Sequence, residues 1–181
     1  VAEGELEAIR ERAKASQRKL RQLGRWEGGR PPYGWKGVQL EGGGYKLEHD
    51  PETYPILQRI IADFREGKSA GAIATELNAE AVTTPVNHLN GRTGGTWHSQ
   101  SIRRMLASRS LLGWATHEDV PVLDDDGKPI LKGPPAVTGE EFEEIQTILE
   151  GRKFSKSTPD RTSPLLEVLR CWECGSAMYI R

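Results

Sequence analysis

The chain has 181 residues, of which 36% are hydrophobic and 28% charged, with a formal net charge of −1 at pH 7. That length fits one good-sized domain, or one domain with a partial neighbour. No apolar run approaches the about 20 residues a membrane span needs and no signal peptide is recognisable, so a soluble protein is expected.

The near-zero net charge hides a segregation. Residues 1–36 carry nine Lys/Arg against five acids, and 98–117 carry Arg103, Arg104 and Arg109 with no acid. Residues 118–150 hold ten Asp/Glu against Lys128 and Lys132. Such a distribution suits one basic face with an acidic back, although solvated helix faces would produce it too.

Residues 3–23 read as one polar helix rich in Ala, Glu, Arg, Lys and Leu, ended by Gly24. Its apolar positions are sparse (Leu6, Ile9, Ala13, Leu20, Leu23), as in the end of a longer element or a helix leaning on a partner. "GRWEGGRPPYGWKG" at 24–37 is too rich in Gly and Pro for helix or central strand, and should be extended. A short hairpin follows, turning at Gly42 to Gly44. Ile56, Leu57, Ile60, Ile61 and Phe64 recur at helical spacing over 51–66, with Pro55 in the first turn, so that the helix starts at Thr53 or Tyr54. Ser69 is an N-cap for a helix to about Ala81, burying Ile73, Ala74 and Leu77. Residues 82–95 read as loop.

The spacing predicts a further helix from Ser99 to Ser108. Ile102, Met105 and Leu106 share one face, and Gln100, Arg103, Arg104 and Ser108 spread over the other side. "LLGWATH" and "VPVLDDDGKPILK" read as strands, the latter a hairpin turning at Asp126-Gly127. Thr138 and Glu141 form a capping box, with a Val137–Phe142 staple, for a helix ending at Gly151. A Ser/Thr/Pro/Lys-rich linker follows, and "LLEVLRCWECGSAMYIR" begins something new. The fold class expected is α+β: a small helical domain with short hairpins and a helix-turn-helix-like pair at 69–81 and 99–108.

That pair offers Gln and Arg side chains suited to adenine and guanine edges. Its connection is longer than a helix-turn-helix requires, so two ordinary amphipathic helices remain an alternative. The arm carries Arg25 and Arg30 on extended backbone, as a minor-groove arm would. It could equally be a linker anchored by Trp26, Tyr33 and Trp35. Catalytic patterns are poor. His49, His88, His98 and His117 fall in separate segments, the acidic triplet 124–126 suits a turn, and "GGRPPYG" lacks the ending of a phosphate-binding loop. Cys171 and Cys174, a C-x-x-C step before Gly175, match half of a tetrahedral zinc site.

In order, "GRPPYGW", "HDPETYPILQRIIADFREGKSAGAIATELNAEAV", "TWHSQSIRRMLASRSLLGWA", "VTGEEFEEIQTIL" and "SPLLEVLRCWECGSAMY" resemble the large serine recombinases, the phage integrases and transposon resolvases of bacteria. The resemblance implies the end of a long connecting helix at 1–23, a recombinase DNA-binding domain at 24–151, a linker at 152–164 and the opening of a zinc ribbon at 165–181. The family's serine nucleophile belongs to a domain that this sequence lacks, so no serine here is assigned catalysis. A second cysteine pair lies further downstream in the family. Zinc is therefore expected in the intact parent protein, with Cys171 and Cys174 as a half-site and no tight metal in this chain alone.

The implied function is sequence-specific binding of a double-stranded attachment half-site, alongside other recombinase subunits, in the bacterial cytoplasm and with no membrane partner. Residues expected at DNA are Arg18, Arg21, Arg25, Arg30, Tyr33, Ser99, Gln100, Arg103, Arg104 and Ser108, with Arg104 reading bases and Arg18 touching phosphate. The alternatives are a transcriptional regulator's DNA-binding domain and a protein-interaction module with a basic face.

Overall fold

The computed structural model describes residues 2–118 and 120–152. Two compact units divide the chain, Val1–Leu149 and Glu150–Arg181, and only the first lies within the described residues almost throughout. The expected linker beyond Arg152, the expected zinc-ribbon start and both cysteines fall outside the described residues.

The elements run α1 (Ala2–Gln22), β1 (Trp35–Gln39), β2 (Tyr45–His49), α2 (Tyr54–Arg65), α3 (Ala70–Ala79), α4 (Pro85–Leu89), α5 (Ser99–Ala107), β3 (Thr116–His117), β4 (Val120–Pro121) and α6 (Gly139–Gly151). This is an α+β architecture of six helices and two small antiparallel sheets among the described residues. Local chemistry sets most of the boundaries. Thr53 is the N-cap of α2 and Pro55 occupies its first turn, where the missing N–H loses no helical bond. Ser69 Oγ accepts from the Ala72 N–H at 3.1 Å and starts α3. At α6 the capping box closes both ways: the Thr138 N–H donates to Glu141 Oε2 at 2.9 Å, and the Glu141 N–H to Thr138 Oγ1 at 3.2 Å.

The core is one cluster. Leu57, Ile60 and Phe64 of α2, Ile73 and Leu77 of α3, and Ile102 and Leu106 of α5 are almost wholly buried. Ile145 of α6 joins them, and Val137 and Phe142 are buried at its start as the staple expectation requires. Burial of each such side chain contributes about 1.5–3 kcal/mol, so this cluster dominates the fold's stability. On α1, by contrast, Leu6 and Ile9 stay exposed, in keeping with a helix whose polar sequence makes no core of its own.

The hairpin forms as expected, with Trp35 opposite His49 and Gln39 opposite Tyr45. Two segments extend its β2 side: the Trp26 N–H donates to the Tyr45 carbonyl at 2.8 Å, and the Leu47 N–H to the Lys132 carbonyl at 3.1 Å. The arm is thus docked at its start. The Trp26 ring lies so close over Gly37 that any side chain there would collide with it.

Two expectations are corrected. Residues 82–95 are not plain loop, because Pro85 at the first turn after the extended Thr84 starts the short helix α4. The segment folds back on itself, with the Thr84 N–H donating to the Gly94 carbonyl at 2.9 Å. "LLGWATH" is not one strand either. Arg109–Leu112 form a 3-10 turn that buries Leu111 and Leu112, and Gly113 closes it at φ +70. A side chain at Gly113 would strike the Gly133 carbonyl, so the chain turns where only glycine fits. Pairing starts after this turn, with a bridge from Trp114 to Leu131, and the two-residue strands follow, with Thr116 facing Pro121. The Asp126-Gly127 turn forms as expected, held by Asp124 Oδ1 accepting from the Asp126 and Lys128 N–H groups.

Candidate nucleic-acid interface

α5 is held at both ends. Asn78 at the end of α3 grips the Trp97 backbone twice, Nδ2 donating to its carbonyl at 3.0 Å and Oδ1 accepting from its N–H at 2.7 Å. The buried Trp97 ring donates from Nε1 to the Val82 carbonyl at 2.9 Å. At the other end Gln146 Nε2 donates to the Leu106 carbonyl at 3.0 Å. α3 and α5 pack as a pair, joined by a folded segment containing α4 rather than by a tight turn.

The burial of α5 fixes which side chains face outward. Ile102 and Leu106 point into the core and Met105 is half-buried. Ser99, Gln100, Ser101 and Arg104 are exposed, and at 100° per residue Gln100 and Arg104 form one outward stripe. Arg103 sits half-buried on the flank, so the expected polar face is narrower than the sequence reading made it. Ser108 lies outside the helix as its C-cap. Its Oγ accepts from the Ser110 N–H at 3.2 Å and donates to Ser110 Oγ at 3.0 Å.

The arm divides between inward and outward residues. Its aromatics dock: Tyr33 and Trp35 are buried, and Tyr33 packs edge-on against Trp97 with ring centroids 5.4 Å apart. Tyr33 is therefore a core side chain. Its hydroxyl is buried with no hydrogen-bond partner among the described residues. Burial, aided by the negative charge of Asp50, pushes the phenol up to about 12. Arg25 is engaged at the surface, its Nη1 donating to the Gly43 carbonyl at 2.9 Å across the hairpin turn. Arg21 pairs with Glu27 at 3.5 Å and its side chain is only 12% exposed. Arg30 and Arg18 remain exposed.

Arg30 does not stand alone. A groove of about 340 Å³ lies between the arm and α5. Arg30, Arg104, Ser108 and Ser110 line it, above buried Tyr33, Trp35 and Leu111. No Asp or Glu lines this groove. Four of the expected site residues thus meet in one place, while Arg21 and Arg25 are withdrawn into contacts of their own.

One polar cluster escaped the sequence reading. His88 Nε2 lies 3.0 Å from Asp50 Oδ2, which also accepts from Thr53 Oγ1 at 2.8 Å. Burial works to raise the Asp50 carboxyl, but hydrogen bonds from Thr53, the Glu52 N–H and His88 together hold it below its ordinary value. This contact pins α4 to the start of α2. The residues lie far apart in sequence, so no local signal could have paired them.

The family model named Recombinase matches residues 51–152, more than half of the chain. The chain belongs to the recombinase family. Among solved structures, a chain of the crystal structure of an LSR–DNA complex, a large serine recombinase on DNA, shares the fold with a TM-score of 0.54 at 18% identity. The match covers 92% of this chain and 46% of that one, so this recombinase chain spans about half the length of its structural relative. A comparison with curated proteins finds no match. Among the described residues of the recombinase chain, no helix is long and apolar enough to cross a membrane.

Proposed function

We propose that this recombinase chain binds double-stranded DNA at an attachment half-site, as the DNA-holding part of a site-specific serine integrase. α5 enters a major groove and presents Gln100 outward, and the arm around Arg30 follows the adjacent minor groove. Arg18 on α1 meets phosphate. Cutting and rejoining of DNA, and the contacts with further subunits, belong to the intact recombinase. Cys171 and Cys174 supply two ligands towards a tetrahedral zinc site of the intact recombinase.

The observation that carries this reading is the outward Gln100–Arg104 stripe, with Arg104 and Arg30 lining one groove that no Asp or Glu lines. Buried Ile102 and Leu106 hold that stripe rigidly, as a reading helix requires. Family membership favours recombination over a transcriptional regulator, and the cation-rich groove favours DNA over a protein partner. Selection from a pool of randomised duplexes tests the reading. Recovery of a single consensus of half-site length is expected. A pool that stays random after repeated rounds would exclude sequence-specific binding.

A further inference from the structure

We propose that the groove between the arm and α5 is a phosphodiester clamp. Arg30 and Arg104 grip one DNA phosphate from two elements, Ser110 adds a third donor, and the apolar floor seats the adjoining deoxyribose. The clamp rests on the DNA-binding reading above, and it makes Arg104 a positioning residue instead of the base reader that the sequence pattern suggested.

The charge of the groove suits an anion. Arg30 and Arg104 have no carboxylate partner among the described residues, and none lines the groove they share. Two guanidinium groups facing one cavity repel each other, and a bound anion turns that repulsion into attraction. The serine pair leaves one hydroxyl free to donate. Ser108 Oγ is committed to Ser110 on both counts, accepting from its N–H and donating to its hydroxyl. Ser110 Oγ therefore accepts from Ser108 and keeps its own proton to donate, as a phosphate oxygen needs.

The floor argues against the main alternative, a base edge seated at the bottom of the groove. Reading a base needs donors and acceptors at the contact surface. The Tyr33 hydroxyl is sealed from solvent, and Trp35 Nε1 already donates to the Pro134 carbonyl at 2.9 Å. Met105 and Leu111 offer no polar atom of use there. An apolar floor beneath cationic walls fits sugar below phosphate. Gln100, one turn before Arg104 and outside the groove lining, is left to read bases.

The test uses the selected half-site and a scrambled duplex, with R30A, R104A, R104K, S110A and the R30A/R104A double variant titrated across salt. Both arginines are exposed, so the fold should tolerate their loss. R30A and R104A should each weaken binding to both duplexes by the same several-fold factor and reduce the salt slope by about one. R104K should retain most of the affinity, since a phosphate accepts a point charge, and S110A should show a smaller uniform loss. Half-sites carrying one uncharged methylphosphonate each should reveal a position that weakens the wild type but not the double variant. Loss of cognate preference in R104A with an unchanged salt slope would overturn the clamp, as would the lack of any such methylphosphonate position. If the wild-type chain itself shows neither preference nor salt dependence, the DNA-binding reading falls and takes the clamp with it. If the wild type binds as proposed while the arginine variants keep full affinity, the clamp alone falls.

Discussion

The face formed by α2, α3 and α6 carries three cations, and all three are spoken for. Arg59 forks onto Glu80, with Nη2 donating to Oε1 at 2.6 Å, and lies near Asp63 and Glu76. Arg65 spans to Glu141 and Glu144 of α6 at 2.7 and 2.8 Å, and Lys68 bridges Asp63 and Glu76. These hydrogen-bonded partners hold the Glu80 and Glu141 carboxyls below their ordinary values, with the Thr138 N–H foremost at Glu141 and Arg59 at Glu80. On the face formed by the arm and α5, Arg30 and Arg104 border a groove free of carboxylates. Both faces carry cations, but among the described residues Arg30 and Arg104 have no carboxylate partner, which leaves them available to an external anion. A net charge of −1 therefore says little about DNA binding, because acids that neutralise one face leave the other untouched.

The largest effect should come from removing the support of the second face. Leu106→Ala opens a cavity under α5 and should destabilise the fold by about 2–5 kcal/mol, read by denaturant unfolding. DNA affinity should fall with it. Asn78→Ala strands the Trp97 backbone groups and should lose about 1–3 kcal/mol of stability. It should also reduce cognate preference, since α5 then starts from a loosened anchor. If preference stays intact, α5 is positioned by its apolar face alone.

Gln100→Ala sharpens the comparison most cleanly. It should leave stability unchanged and reduce discrimination between selected and scrambled DNA by about 1–3 kcal/mol, measured as a ratio of affinities. Unchanged discrimination would move base reading off this helix. Arg59→Ala serves as the control from the opposite face. DNA affinity should hold, with only a slight fall in the thermal midpoint, because exposed ion pairs contribute little; a large loss of DNA affinity would mean that the faces have been misassigned. Smallest of all, Tyr33→Phe removes a buried hydroxyl that has no hydrogen-bond partner among the described residues. It should leave DNA binding alone and raise stability by about 1 kcal/mol.

Much of the fold was legible because its signals are local. Pro55, Ser69 and the Thr138–Glu141 pair mark helix starts through atoms three or four residues away, and the apolar spacing of 56–64 and 102–106 marks buried faces. The Thr84-Pro85 start of α4 had the same kind of signal, but the surrounding Asn and Gly residues masked it. Leu111 and Leu112 failed for another reason: a short apolar run has no periodicity that separates strand from 3-10 turn. The candidate site was half legible. Residue type and spacing identify Gln100 and Arg104 as outward. Nothing local says that Arg25 is captured by Gly43, that Arg21 finds Glu27, or that Arg30 comes to share a groove with α5. Those are tertiary facts, and they decide which arginines the proposed DNA contact can use.

The most direct test of the central claim is a titration of this chain against the selected half-site and a scrambled duplex, at two salt concentrations. Tighter binding to the half-site, and weaker binding to both duplexes at the higher salt, are expected. Equal affinity for the two duplexes, or affinity indifferent to salt, would contradict that claim.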